Sequence, residues 1–224
     1  MSALNAQRLV AMHLHVPPSG GWLADVTIES GGVPALGPAT LTFGDTRLVG
    51  TIIRAGLDAP DQPRATVAGG AGWRNVLPSP GASYVNPGGV RLLTVMRDLA
   101  TIAGELYDAP ADAFLGPAYQ WDAGRPGASL RCRMVLADLV QRGALPTWRV
   151  APTGRTRFDA WPALGPADGH GRIVHRDADR GMRVVALDTV TSALLPGATL
   201  EGAKIARVTF VEKDSELRAK VSES

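Results

Sequence analysis

One cysteine in 224 residues, Cys132, leaves no partner for an internal disulfide and no thiolate cluster for zinc. It sits in a helical pattern with Val135, Leu136 and Leu139, the setting of a buried thiol that acts as a small hydrophobe. Blocks of one charge are also missing. The formal net charge is +2 and the arginines are scattered singly, so no nucleic-acid footprint is visible. No stretch approaches the roughly 20 apolar residues of a membrane span, and the opening MSALNAQRLVAMHLHVPPSG has no apolar run of signal-peptide length. The chain is therefore expected to be made in the cytosol, and kept there or assembled into something built there. Catalytic signatures are absent too: there is no G-x-S-x-G and no H-E-x-x-H, and the lone cysteine belongs to a helix core. Carboxylate pairs for glycoside chemistry come from distant positions and nothing in the sequence singles one out.

What is present is glycine and proline, 26 and 17 residues, which suit many short strands joined by turns. RLVAMHLHV and GWLADVTIE alternate apolar and other residues, and ATLTF meets TRLVGTIIRAG across Gly44-Asp45, a two-residue hairpin turn. Two helical patterns follow. GVRLLTVMRDLATIAGEL carries Leu92, Val95, Met96, Leu99, Ile102, Ala103 and Leu106 at intervals of three and four, and SLRCRMVLADLVQRGAL has Ser129 as its expected N-cap and Gly143 as its expected C-cap. Strand grammar then returns. TWRVA and RTRFDAW flank PTG, RIVHRD pairs with MRVVALD, and the end reads as a hairpin turning at Lys213 to Ser215. In it Ile205, Arg207, Thr209 and Val211 share one face opposite Ala206, Val208 and Phe210, and the final strand is half exposed. The order is β-meander, helical insertion, β-meander.

The stretch VAGGAGWRN places Gly69, Gly70 and Gly72 just before Trp73 and Arg74. It fails as a phosphate loop, because a P-loop needs a lysine and a hydroxyl after its second glycine, and about seventeen residues with three prolines intervene before the helix. The glycines instead let the backbone turn or approach a neighbour, with Trp73 buried. His13 and His15 share one strand face, and His170 and His175 lie near Asp168 and Asp177, but no third ligand stands at metal spacing. The expectation is no metal, no cofactor and no catalytic residue. Trp22, Trp73, Trp121, Trp148 and Trp161 are either core or anchors at a subunit contact.

Beyond these readings, GTIIRAG followed by VAGGAGWRNVLPSPGASYVNPGGVRLLTVMRDLATIAGE resembles the baseplate hub proteins of tailed bacteriophages, the late-control D-like family, and more distantly the base of type VI secretion spikes. The residues that carry it are Gly72, Trp73, Arg74, Leu77, Pro78, Tyr84, Val95, Asp98, Ala100, Gly104 and Glu105. TWRVAPTGRTRFDAW is similar to a second block, with Thr153-Gly154 where relatives have Asp-Gly, and the closing hairpins look alike too. The resemblance implies an α+β, mainly β fold, with two small antiparallel barrel-like modules (1–88 and 146–224) flanking a helical segment (89–145), or one discontinuous barrel. It implies a structural hub, a homotrimer whose pseudo-sixfold ring joins a hexameric tail tube or tube initiator to a trimeric central spike among other baseplate proteins, in a virion tail assembled in the host cytoplasm. Gly69, Gly70, Gly72, Trp73, Arg74, Leu77, Tyr84, Trp148, Phe210 and Leu217 then become candidates for a structural corner or interfaces. A hexameric distal tail ring and a tail-associated cell-wall hydrolase stand as alternatives.

Overall fold

A computed structural model describes residues 2–58, 62–78, 81–121, 129–187, 191–213 and 216–223. The first β stretch supplies β1 (Ala3–Leu4), β2 (Gln7–Val16), β3 (Leu23–Ile28), β4 (Gly37–Phe43), β5 (Thr46–Asp58) and β6 (Gln62–Ala68). A 3-10 turn at Ala71–Arg74 leads to β7 (Ser83–Val85), α1 (Leu92–Ala103), β8 (Ala118–Gln120) and α2 (Cys132–Gln141). The last third holds β9 (Arg149–Val150), β10 (Thr156–Arg157), β11 (Arg172–Asp177), β12 (Met182–Leu187), β13 (Thr199–Leu200), β14 (Ala203–Lys213) and β15 (Glu216–Glu223). The chain divides into a β unit, residues 1–69, 150–154 and 161–224, and a helical unit, residues 70–149 and 155–160.

In the β unit, β1-β4-β5-β6-β3-β2 run in order and β1 pairs back onto β2, closing a six-stranded antiparallel barrel. Closure leaves those strands without a free edge. The second β stretch does not stand apart: β14 lies against β2, and β15, β12 and β11 continue the same sheet. The fold is thus α+β and mainly β, and the two β stretches share one sheet through β2. Leu14, Ile28, Leu41, Phe43 and Phe210 are fully buried there, with Phe43 and Phe210 5.8 Å apart.

The pairings expected at Gly44-Asp45 and between RIVHRD and MRVVALD both form. The hairpin around Pro152–Gly154 shrinks to two residues per strand. One detail of the final hairpin differs from the sequence reading. Ile205 is buried with Val208 and Phe210 rather than sharing the face of Arg207 and Thr209, because a register shift between Ile205 and Arg207 adds a residue and reverses the alternation. The last strand, β15, alternates exposed and buried residues, half exposed as read from the sequence, and has β14 on one side and β12 on the other, so among the described residues the sheet's open edge is β11. Asp214 and Ser215 of the expected turn lie outside the described residues.

The helical unit forms around the apolar stripes that the periodicity marks. Leu92, Val95, Met96 and Leu99 of α1 meet Cys132, Val135, Leu136 and Leu139 of α2 in one buried cluster. Helix α1 stops at Ala103, where Gly104 takes a left-handed φ of 67°, so Leu106 falls outside it and is 67% exposed. The N-cap of α2 is Arg131 rather than Ser129, since residues 130–132 are held extended against 75–77: Leu77 N donates to Leu130 O and Cys132 N to Asn75 O. The C-cap is Arg142 rather than Gly143, which follows it with a positive φ of 73°. Residues 70–78 and 81–88, grouped with the first β stretch in the sequence reading, belong to the helical unit.

Candidate functional site

The glycine-tryptophan corner is built from the backbone outward. Gly70 has φ 68° and ψ 43°, a left-handed conformation that suits glycine, and starts the 3-10 turn. Gly72 faces the end of α1 so closely that a Cβ would overlap the Ala103 carbonyl. Its N–H donates to Glu105 Oε1 at 2.6 Å, and Asn75 Nδ2 donates to the same Ala103 oxygen at 3.3 Å. Loop and helix terminus therefore satisfy each other's unpaired groups. Burial pushes the Glu105 carboxyl above its ordinary value, and the Gly72 hydrogen bond offsets this only in part.

Trp73 is 1% exposed. Its Nε1 donates to Thr156 Oγ1 at 2.6 Å, and its ring meets Trp148 edge-on at 6.3 Å. Thr156 is itself stitched in place: its N–H donates to Leu106 O and its carbonyl accepts from Asp108 N. Leu77 is buried beside them and Arg74 is half-buried. Tyr84 packs edge-on against Trp121 at 5.4 Å and donates to Asp98 Oδ2 at 3.1 Å. Burial, then the Asp98 carboxylate, raise its hydroxyl well beyond the usual tyrosine range. Tyr119 repeats the arrangement, donating to Asp138 at 2.9 Å.

Seven of the ten expected residues, Gly70, Gly72, Trp73, Arg74, Leu77, Tyr84 and Trp148, thus fall in the helical unit. Gly69, Phe210 and Leu217 belong to the β unit. There Gly69 lies beneath Trp22, whose indole nitrogen would overlap a Cβ at that position. Phe210 is core, and Leu217 is half-buried in β15 opposite Leu187. Sequence reasoning missed Thr156, Asn75 and the Ala103 carbonyl. Thr156 is 83 positions from Trp73, and no local pattern links them.

The remaining candidates take structural positions. Cys132 is buried, and burial raises its thiol. His15 Nδ1 lies 3.1 Å from Thr209 Oγ1, and burial first, then the charges of Arg207 and His13, lower its ring below the ordinary histidine value. Asp168 accepts from Glu201 N and Asp177 from Arg180 N, both backbone contacts. Among the described residues no group of three His, Cys, Asp or Glu is placed to hold a metal ion, and no helix is long and apolar enough to cross a membrane. A cavity of about 510 Å³ over β3, β5 and β6 is lined by groups such as Asp25, Thr66, Asp58 and Arg64. Thr66 donates to Asp25, and Arg64 pairs with Asp58.

A closed barrel continued by an open sheet, with a two-helix unit inserted between the strands, is an architecture shared with tail proteins. The structure of a 43 kDa tail protein of prophage MuSo2 from Shewanella oneidensis is similar with a TM-score of 0.65 at 11% identity, over 99% of this chain and 97% of that one. A tail protein from Neisseria meningitidis is similar at 0.60 and 11% identity, over 98% and 94%. An Escherichia coli component of the type VI secretion system, described as structurally similar to the T4 tail proteins gp27 and gp5, is similar at 0.60 and 11% identity, over 100% of this chain and 77% of that one. No protein-family model matches the chain, and no curated protein sequence matches it.

Proposed function

We propose that the chain is a structural hub of a phage tail baseplate, a non-enzymatic adaptor that joins a hexameric tail tube to a trimeric central spike. The observation that carries the reading is the likeness to tail proteins along nearly the whole chain, which covers the β unit and the inserted helices alike. Fold alone does not specify function, and the side chains add to it. The tyrosines, tryptophans and glycines of the corner are engaged in holding the loop, which is the pattern of a scaffold. A chain with one closed barrel and a second group of strands on the same sheet brings two β groups to each subunit. Three copies would present six, enough to match a sixfold tube on one side and a threefold spike on the other. The open β11 edge, with Val174 43% exposed, is the strand available for such a ring contact.

The test is the mass of the purified chain by light scattering, alone and mixed with its candidate spike partner. A trimer in either condition is expected. A hexamer would instead favour a distal tail ring. A monomer with every tail partner would overturn the adaptor reading and direct attention to cell-wall hydrolysis assays.

A further inference from the structure

Arg74, Arg131 and Arg133 form a cluster that no carboxylate among the described residues of the helical unit neutralises. Arg91, Arg97, Arg142, Arg149, Arg155 and Arg157 of that unit each pair with an aspartate. Among the described residues the three clustered arginines have no carboxylate partner, and burial first, then the charges of Arg133 and Arg131, hold the Arg74 guanidinium below its ordinary value. The backbone brings them together. Val76 bridges Arg131, and Arg131 Nη1 donates to the Arg74 carbonyl at 3.2 Å.

This placement runs against the local rules of a helix. Arg131 is the N-cap of α2 and Arg133 lies in its first turn, at the positive end of the helix dipole, with no side-chain cap and no acidic residue there. Acceptors and carboxylates are favoured at such a position and cations are not. A local rule broken with no compensating carboxylate among the described residues is what a functional or strained position looks like. Exposed apolar side chains accompany the charges: Val76 is 52% and Met134 48% exposed.

We infer that this cluster docks an acidic segment of a partner protein, whose carboxylates meet Arg74, Arg131 and Arg133 while an apolar side chain covers Val76 and Met134. Apolar contact favours a protein over a phosphate chain, which would leave Val76 and Met134 against its charged backbone. Guanidinium groups suit carboxylates because they present paired donors to two oxygens. The inference does not depend on the hub reading.

The experiment titrates the full-length chain into a fluorescent peptide of Glu and Leu, a matched peptide of Lys and Leu, and a single-stranded oligonucleotide. Binding of the Glu/Leu peptide alone is expected, weakening as salt rises and about tenfold weaker for Arg133→Glu, an exposed position where a carboxylate in the first turn of α2 should not lower the melting temperature. Arg131→Lys keeps the charge and should bind within about threefold of the unsubstituted chain. No binding of the acidic peptide, equal binding by Arg133→Glu, equal binding of the Lys/Leu peptide, or tighter binding of the oligonucleotide would each overturn the inference. The oligomer mass, read separately, decides the hub proposal.

Discussion

In the β unit the largest buried side chains are mostly aliphatic, methionine or phenylalanine, with Trp22 as the exception, while in the helical unit Trp73, Tyr84 and Tyr119 each carry a polar tip tied to a named partner. The reason lies in the backbone. Strands of a closed barrel satisfy their N–H and C=O groups along the ladder, so their side chains need only fill space. The helical unit has two short helices joined by loops, and side chains must complete its hydrogen bonding: Glu105 accepts from Gly72 N, Asn75 donates to Ala103 O, and Asp112 accepts from both Leu93 N and Ala113 N. A unit held by such specific contacts is more easily broken by a single polar or glycine substitution than one held by a ladder and apolar packing.

The sharpest way to break the comparison is Trp73→Ala, which removes a buried indole and leaves Thr156 without its donor. A loss of about 3–5 kcal/mol is expected, read by denaturant unfolding, with hydrogen exchange rising across α1 and α2 while β2 and β14 keep their protection. Phe210→Ala, of similar size, should do the reverse. Equal loss of protection in both units for either variant would mean that they unfold as one.

Gly72→Ala should cost about 1–3 kcal/mol, because the new Cβ must displace the Ala103 carbonyl at the end of α1. A melting temperature equal to that of the unsubstituted chain would show that the corner can relax around it.

Glu105→Gln gives the smallest change and the opposite sign. Burial raises the folded-state value of this carboxyl above the unfolded one, so ionising it in the fold costs stability. That penalty is absent well below the ordinary glutamate value of about 4.3, grows as pH rises from there toward the folded value, and levels off above it. The amide keeps an oxygen for Gly72 N without the charge. The melting temperature should therefore rise by about 1–3 °C at pH 7, and the difference should close near pH 4. A variant less stable than the parent at both pH values would sink the argument.

Periodicity found α1 and α2 because Leu92, Val95, Met96 and Leu99, and Val135, Leu136 and Leu139, repeat at helical spacing and the repeat reports which face is apolar. It found the Gly44-Asp45 hairpin because sequence neighbours pair through a short turn. Residue chemistry, not period, placed Trp73 in a core, where it lies. Bulges defeated periodicity at Ile205, since an added residue in the pairing is invisible in the alternation itself. The N-cap of α2 was misplaced because the contact of 130–132 with 75–77, not the Ser129 side chain, decides where the helix begins.

The sequence by itself determined the longer strands and both helices, the apolar faces of α1 and α2, and that Cys132 and Trp73 are buried, because these follow from local period and residue chemistry. Only the tertiary structure decided that β1 closes on β2, that β14 joins β2 from nearly two hundred residues away, that Thr156 receives the Trp73 hydrogen bond, and that three scattered arginines converge at the start of α2. A pattern along the chain says that a face must be covered or a charge balanced. What covers it is fixed by long-range pairing, which leaves no periodic trace.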